Sequence, residues 1–254
     1  MSAEDRKARI AARFGAAAER YDAHSPLQRE AAARLARRVL AFDLPPACRV
    51  LEVGCGTGHL TRELRGRIGG EWTVSDIAPA MVTACVRNNP GVAGVVMDAE
   101  HPVVEAGRFD LVVSSLTAQW FADLPAALAA LCGLLAPGGH LALATLGSGS
   151  FGEWRAAHAA LGLRTATPAY PSAVELERAF PAFVRATVAE ESIAAPLDDP
   201  LDFVRGLRAI GADVPAAGSA PLGAGQMRKV LRLLASDAPG GVGYHLLYAV
   251  AGRG

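Results

Sequence analysis

The sequence lacks the features that mark several large protein classes. It has no net charge, since 25 basic side chains cancel 25 acidic ones over 254 residues. Without a positive field to grip a phosphate backbone, it is not expected to bind nucleic acid. It has no long apolar run; the longest, Ala126 to Ala136, falls far short of the roughly 20 residues a bilayer span needs and reads as a buried helix. The opening residues include Glu4, Asp5, Arg6 and Lys7 where a secretory signal would be apolar, so no signal peptide is expected. The four cysteines, Cys48, Cys55, Cys85 and Cys132, form no C-x-x-C pair. That excludes the usual zinc and disulfide frameworks; the expectation is a reduced, cytoplasmic chain with no metal and no membrane contact. Lysine occurs only at Lys7 and Lys229, leaving few candidates for Schiff-base chemistry.

What is present is 51% hydrophobic, enough for one sizeable core. Phe14, Ala17, Ala18 and Tyr21 recur at helical spacing over Arg9–His24. Leu27, Ala31, Leu35 and Val39 do so ahead of Pro45-Pro46; both segments predict amphipathic helices. Strand and helix signals then alternate. Strands are expected at Arg49–Val53, Trp72–Asp76, Val92–Asp98, Phe109–Ser114 and His140–Thr145, and helices at His59–Arg67, Pro79–Asn88 and Leu124–Leu135. Asp123 and Pro125 start the last of these helices, and Pro137-Gly138-Gly139 reads as its stop. Such alternation predicts an α/β fold with a mostly parallel sheet and helices on both faces.

Beyond Thr145 the pattern changes. Ser172 and Glu175 have capping-box spacing ahead of a helix through Phe180. A strand follows at Phe183–Ile193, then helices from Asp199-Pro200 to Ile210 and over Gln226–Ala235, and a β-like segment at Tyr244–Ala251. An antiparallel strand pair should close one edge of the sheet, with a helical cap over its carboxyl ends. The expected organisation is one domain over 1–254: N-terminal helices in 1–45, a ligand-binding core in 46–146, cap insertions and the sixth strand in 147–241, and the final strand in 242–254.

The most informative stretch is Val50-Leu51-Glu52-Val53-Gly54-Cys55-Gly56-Thr57-Gly58, a strand running into a glycine turn and a helix. Glycines let a ligand approach the backbone, and open α/β sheets bind ligands at the carboxyl ends of their strands. Asp76 and Asp98 end the next two strands, and a carboxylate at the second tip can hold a ribose diol. A nucleotide-like ligand is therefore expected in this crevice. The spacing is E-x-G-x-G-x-G, whereas dinucleotide oxidoreductases carry G-x-G-x-x-G.

With Asp76-Ile77-Ala78-Pro79-Ala80-Met81 after the second strand, the sequence resembles the class I S-adenosylmethionine-dependent methyltransferases. The resemblance implies their Rossmann-like fold and S-adenosyl-L-methionine as cofactor. It also implies that Glu52 and the turn of Gly54, Cys55, Gly56 and Gly58 flank the methionine part, that Asp76 holds the ribose and that Asp98 faces the adenine amino group. Ile77, Met81 and Ala99 would sandwich the adenine, with Ser114 and Tyr21 completing the cofactor set.

The loop Ser114-Ser115-Leu116-Thr117 lacks the Asn/Asp-Pro-Pro-aromatic motif of amino-methylating nucleic-acid enzymes. It also lacks an obvious base. A carboxylate needs none, being ionised at neutral pH with a reference pKa of about 4, so carboxyl O-methylation is compatible with this loop.

Read over nearly its whole length, the chain is similar to the malonyl-acyl-carrier-protein O-methyltransferases of biotin synthesis. Arg13-Phe14-Gly15-Ala16-Ala17-Ala18-Glu19-Arg20-Tyr21-Asp22, Gln28, Leu116-Thr117-Ala118-Gln119-Trp120, Ser150-Phe151-Gly152-Glu153, Leu207 to Ala212 and Tyr244-His245-Leu246 carry that likeness. Ser115, where the family often has asparagine, and Val214–Gly225 depart from it.

The resemblance implies methyl transfer to the free carboxylate of a malonyl thioester on acyl carrier protein, by in-line displacement with no covalent catalytic residue. Candidate substrate contacts are Arg205 or Arg208 on the carboxylate, Gln119 and Trp120 on the acyl group, and His245. Arg228, Lys229 and Arg232, or Arg34, Arg37 and Arg38, are candidate docking cations for the acidic carrier. Two alternatives stay open: a carboxyl methyltransferase of a free small acid, and a non-catalytic assembly factor that keeps the fold.

Overall fold

The computed structural model describes residues 2–216, 218–238 and 240–254. Helix α1 spans Ala3–Ala17, and its start is set by a capping box in which Ser2 and Asp5 bond each other's backbone N–H groups, both at 3.0 Å. The helix therefore begins six residues before the expected Arg9. It ends at Ala17, and the chain tightens into a 3-10 turn at Tyr21–His24, where a helix through His24 was expected. Helix α2 (Pro26–Val39) follows with proline in its first turn.

The alternating core comprises β1 (Cys48–Val53), α3 (His59–Arg65), β2 (Gly70–Asp76), α4 (Pro79–Asn88), β3 (Ala93–Val96), β4 (Phe109–Ser115), α5 (Leu124–Gly133) and β5 (Leu135–Leu146). Strand β3 stops two residues short of Asp98, which stands on the following loop. The Pro137-Gly138-Gly139 segment belongs to β5, where it was expected to be a helix stop. It coincides with a register shift against β4 between Phe109 and Leu111, as a bulge allows.

The rest of the chain is α6 (Gly152–Ala159), α7 (Ala173–Arg178), β6 (Val184–Ala195), α8 (Pro200–Ala209), α9 (Ala224–Asp237) and β7 (Val242–Arg253). The sheet order is β3-β2-β1-β4-β5-β7-β6. The first five strands are parallel; β7 runs antiparallel to both β5 and β6.

Strand alternation divides the core. Val50, Leu111, Val113, Ala142 and Ala144 face α2, α3, α6 and α9, while Leu51, Val53, Val112, Leu141 and Leu143 face α5 and α7. Because both faces are covered, the central strands read as apolar runs such as Leu111-Val112-Val113.

The register also places the cap. Ala195 pairs with Val242, and Leu246 pairs with Leu146 at the end of β5. The connection carrying α8 and α9 thus leaves and re-enters the sheet at its carboxyl end. Ile210, just past α8, packs with Ala18, Tyr21, Ala78 and Met81, joining the cap to the N-terminal helices. No helix among the described residues is long and apolar enough to cross a membrane.

Candidate active site

The crevice is built on a bend that only glycine fits. Gly54 leaves β1 with φ of 67°, and a Cβ there would stand 2.0 Å from Thr117 Oγ1. The Thr117 side chain, on the loop after β4, can thereby lie against the Gly54 backbone, its Oγ1 donating to the Gly54 carbonyl at 3.3 Å. Gly58 opens α3 at φ 92°, where a Cβ would meet the Asn89 side chain at 2.2 Å. Between them the Gly56 N–H donates to Asp76 Oδ2 at 3.0 Å, while Ala78 N–H donates to Oδ1 at 2.9 Å. Burial raises the Asp76 pKa, and these backbone N–H groups oppose the rise.

Two adjoining cavities open around this bend. The larger encloses about 680 Å³ counted together with the space open to solvent. Asp76, Ile77, Asp98 and Ala99 line its base, and Lys7, Ile10, Phe14 and Trp120 close it. The smaller, about 310 Å³, is lined by Glu52, Cys55, Gln28, Thr57 and His59 among others. Tyr21, Gly54, Gly56 and Ser115 belong to both. Tyr21 is buried and stands over the glycine turn, with Cε1 3.9 Å from where a Gly56 Cβ would be.

Glu52 is 2% exposed and accepts from Thr61 Oγ1 at 2.6 Å. Its pKa is raised well above the ordinary value, burial being the main cause.

A network absent from the sequence expectations fastens the Tyr21 turn. His59 Nδ1 lies 2.6 Å from Arg62 Nη2 and Nε2 lies 2.8 Å from Ser25 Oγ. Arginine only donates, so Nδ1 accepts and Nε2–H donates to the serine. Desolvation holds the His59 pKa down at about 4. Thr57 Oγ1 donates to Asp22, which also pairs with Arg62 at 3.3 Å. Lys7 was likewise not anticipated: from α1 its Nζ bridges Asp98 and, at 2.7 Å, Glu100.

Several sequence candidates lie elsewhere than expected. Met81 is buried behind the wall, against Tyr21 and Ile210, because the first turn of α4 points it inward. Gly58 serves the start of α3 and lines neither cavity. Ser114 is buried and donates to the Val53 carbonyl at 3.0 Å, tying β4 to β1; the alternation of the strand gives the cavities Ser115. Gln119 donates from Nε2 to the Leu116 carbonyl at 2.7 Å and accepts from Thr145 Oγ1 at 3.2 Å. It braces the bend at Leu116, which has φ of 53°.

Trp120 walls the larger cavity edge-on to Phe14, with ring centres 5.5 Å apart. Arg205 is exposed and pairs with Asp202 at 3.0 Å and Asp199 at 3.5 Å. Arg208 is exposed as well, so the amphipathic α8 turns both arginines to solvent. His245 Nδ1 accepts from Gly149 N–H at 3.1 Å and Nε2 faces Glu190 at 2.9 Å. It fastens the loop after β5 and lines neither cavity.

The donor set suits a nucleoside with a charged tail. Each Asp76 oxygen takes one backbone bond and keeps a lone pair for a diol hydroxyl. Ser115 Oγ is buried without a partner, a polar atom at the junction of the cavities that a ligand can satisfy.

A profile described as "Methyltransferase domain" matches residues 23–183. The chain is 48% identical over 225 residues to a biotin biosynthesis bifunctional protein BioCD of Bordetella avium, covering 88% of this chain and 48% of that protein. It thus spans about half the length of this bifunctional relative. It is 39% identical over 250 residues to a malonyl-acyl-carrier-protein O-methyltransferase of Magnetococcus marinus, covering 96% of this chain and 92% of that one. Among solved structures, the YcgJ protein of Bacillus subtilis matches with a TM-score of 0.63 at 15% identity, over 87% of this chain and 98% of that one. A geranyl diphosphate methyltransferase in complex with S-adenosylmethionine matches at 0.55 and 16%, over 87% and 85%. These two likenesses are of fold.

Proposed function

The chain belongs to the malonyl-acyl-carrier-protein O-methyltransferase family within the class I methyltransferases, and on that premise we propose that it methylates the free carboxylate of a malonyl group carried on acyl carrier protein. The product is a methyl ester that starts the pimeloyl chain of biotin. Esterification removes a charge, so the malonyl starter passes as an apolar acyl group through elongation.

S-adenosylmethionine, when bound, supplies a methyl whose bond to sulfur breaks as a carboxylate oxygen bonds to it, the electron pair staying on sulfur and no proton moving. Asp76 would hold the ribose hydroxyls, while Asp98, Ile77 and Ala99 would border the adenine. Glu52, Gly54, Cys55, Gly56 and Tyr21 would surround the methionine part. The walls from α1 exclude water, which strengthens the attraction between an anionic nucleophile and a cationic electrophile. No residue has to act as base, because the nucleophile is already ionised.

The observation that carries the reading is the pair of adjoining cavities at the tips of β1, β2 and β4, in a chain aligned almost end to end with a named malonyl-carrier methyltransferase.

For the carrier, α9 is the favoured dock. Arg228, Lys229 and Arg232 are all exposed on it, and no salt bridge neutralises them among the described residues. In contrast, Arg34 and Arg38 are held on Glu191.

Transfer of labelled methyl from S-adenosylmethionine tests the reading, with malonyl carrier, malonyl-coenzyme A and free malonate compared. Preferential, base-labile labelling of the malonyl carrier is expected. Equal transfer to free acids would replace it with a free-acid methyltransferase, and failure to bind the cofactor would favour an assembly factor.

A further inference from the structure

Two arginines at the carboxyl end of the sheet are held without an opposite charge. Arg6, near the start of α1, donates from Nη1 to the Trp120 carbonyl at 3.2 Å, and its guanidinium lies 5.9 Å from the centre of the Trp120 ring. Arg155, on α6, donates from Nη2 to the Ser148 carbonyl at 2.7 Å. Both are half-buried. Among the described residues neither has a carboxylate within salt-bridge distance, whereas Arg13, Arg34, Arg38 and Arg49 are each held on one. A guanidinium has five N–H donors, so a single carbonyl leaves most of them unused. Partial burial makes the missing anion more costly than at an open surface.

The carbonyls they hold are neighbours in the fold, because Gln119, next to Trp120, accepts from Thr145 Oγ1 at 3.2 Å, three residues before Ser148. Ser148, whose carbonyl Arg155 holds, donates its own N–H to the Pro171 carbonyl at 2.8 Å. This sets the Arg155 guanidinium beside the Tyr170–Pro171 segment. The Phe151 ring packs edge-on against Tyr170 and Tyr244, at 6.0 Å and 4.9 Å between ring centres. Burial pushes the Tyr170 phenol pKa up, and the cations that oppose the rise are Arg155 and Arg6.

We infer that Arg6, Arg155 and the Tyr170 hydroxyl form the recess that receives the free carboxylate of the acyl substrate, the task that Arg205 and Arg208 were expected to perform. The inference rests on the proposed function, since it assigns the anion of that same reaction. Donors on one carboxylate oxygen leave the other with a lone pair for attack. Methylation then cancels the charge, so the ester no longer satisfies the guanidinium groups and is released. An acyl group without a terminal charge would leave both arginines unpaired, and the site selects against it.

The test is steady-state kinetics of Arg6→Gln, Arg155→Gln, Tyr170→Phe and the double arginine variant, with S-adenosylmethionine affinity titrated for each as the control for folding. Each arginine variant should raise KM for the malonyl carrier by about 10- to 100-fold, the size of a lost hydrogen bond to a charged group, while cofactor affinity is unchanged. Arg155→Lys should recover part of the loss. Inhibition by acetyl carrier should strengthen relative to malonyl binding in the double variant. A double variant with wild-type KM and wild-type selectivity overturns the inference while leaving the proposed function in place. A wild-type protein that binds the cofactor yet methylates no malonyl thioester overturns that function, and the inference with it.

Discussion

At the tip of β2, Asp76 faces the crevice with one backbone N–H on each carboxylate oxygen. Asp76→Asn replaces one acceptor by a donor, and S-adenosylmethionine affinity measured by calorimetry should fall about 10- to 100-fold; an unchanged affinity would remove Asp76 from the cofactor site. Two neighbouring groups make stability depend on pH in opposite senses. The His59 pKa falls from 6.5 to about 4 on folding. The folded state then binds fewer protons than the unfolded chain between those values, and stability drops as pH falls through that window. Glu52 is raised well above 4.5 by burial. Its contribution is fully present below that value and is lost as pH rises through the folded one. Melting curves should show Glu52→Gln steepening the rise of the melting temperature with pH above about 4.5, and His59→Gln flattening it; slopes that do not move would refute both assignments. The places of Glu52 and Asp76 were legible in the sequence because one precedes the last residue of β1 and the other ends β2, both beside the glycine turn. The Ser25–His59 bond and the Lys7 bridge were not, since each partner lies on a separate element brought in by tertiary packing.

Helix α1 is the element that closes the crevice. Lys7 spans Asp98 and Glu100, Arg13 is held on Asp213, and Phe14 meets Trp120. Lys7→Met would leave two half-buried carboxylates side by side without their cation. Faster cofactor dissociation in stopped-flow fluorescence and weaker amide protection in α1 are expected, and unchanged dissociation would deny the helix its closing role. The glycine turn is less tolerant. Gly54→Ala puts a methyl into Thr117 and strains a φ of 67°, so cofactor binding should be lost and the melting temperature lowered; full binding by this variant would contradict the close contact of the two loops. Most elements could be located from the period of their apolar residues. The misplaced boundaries have local causes: the Ser2–Asp5 box starts α1 early, and a bulge lets Pro137 to Gly139 run within β5. The amphipathic period of α8 likewise gave the helix but not its facing. It turns Arg205 and Arg208 to solvent, a facing that arginine content alone does not give.

Across the whole molecule, β6 carries the chain to the carboxyl end of the sheet and the antiparallel β7 carries it away again, so the connection holding α8 and α9 departs and returns at that end. The cavities lie between the tips of β1, β2 and β4 and the residues Lys7, Ile10 and Phe14 of α1. Arg228, Lys229 and Arg232 stay exposed on α9, which that connection carries. The parallel order and the antiparallel edge follow from the alternation of signals, whereas the pairing of α1 with the cap depends on contacts nearly the length of the chain apart. The central claim is that this arrangement converts one carboxylate into its methyl ester on a carrier-bound malonyl group. Intact-mass spectrometry of malonyl carrier incubated with the protein and S-adenosylmethionine tests it most directly. The account predicts a gain of one methyl group, located on the malonyl carboxyl and absent from acetyl carrier treated in the same way. An unmodified malonyl carrier, or equal methylation of the acetyl form, would contradict it.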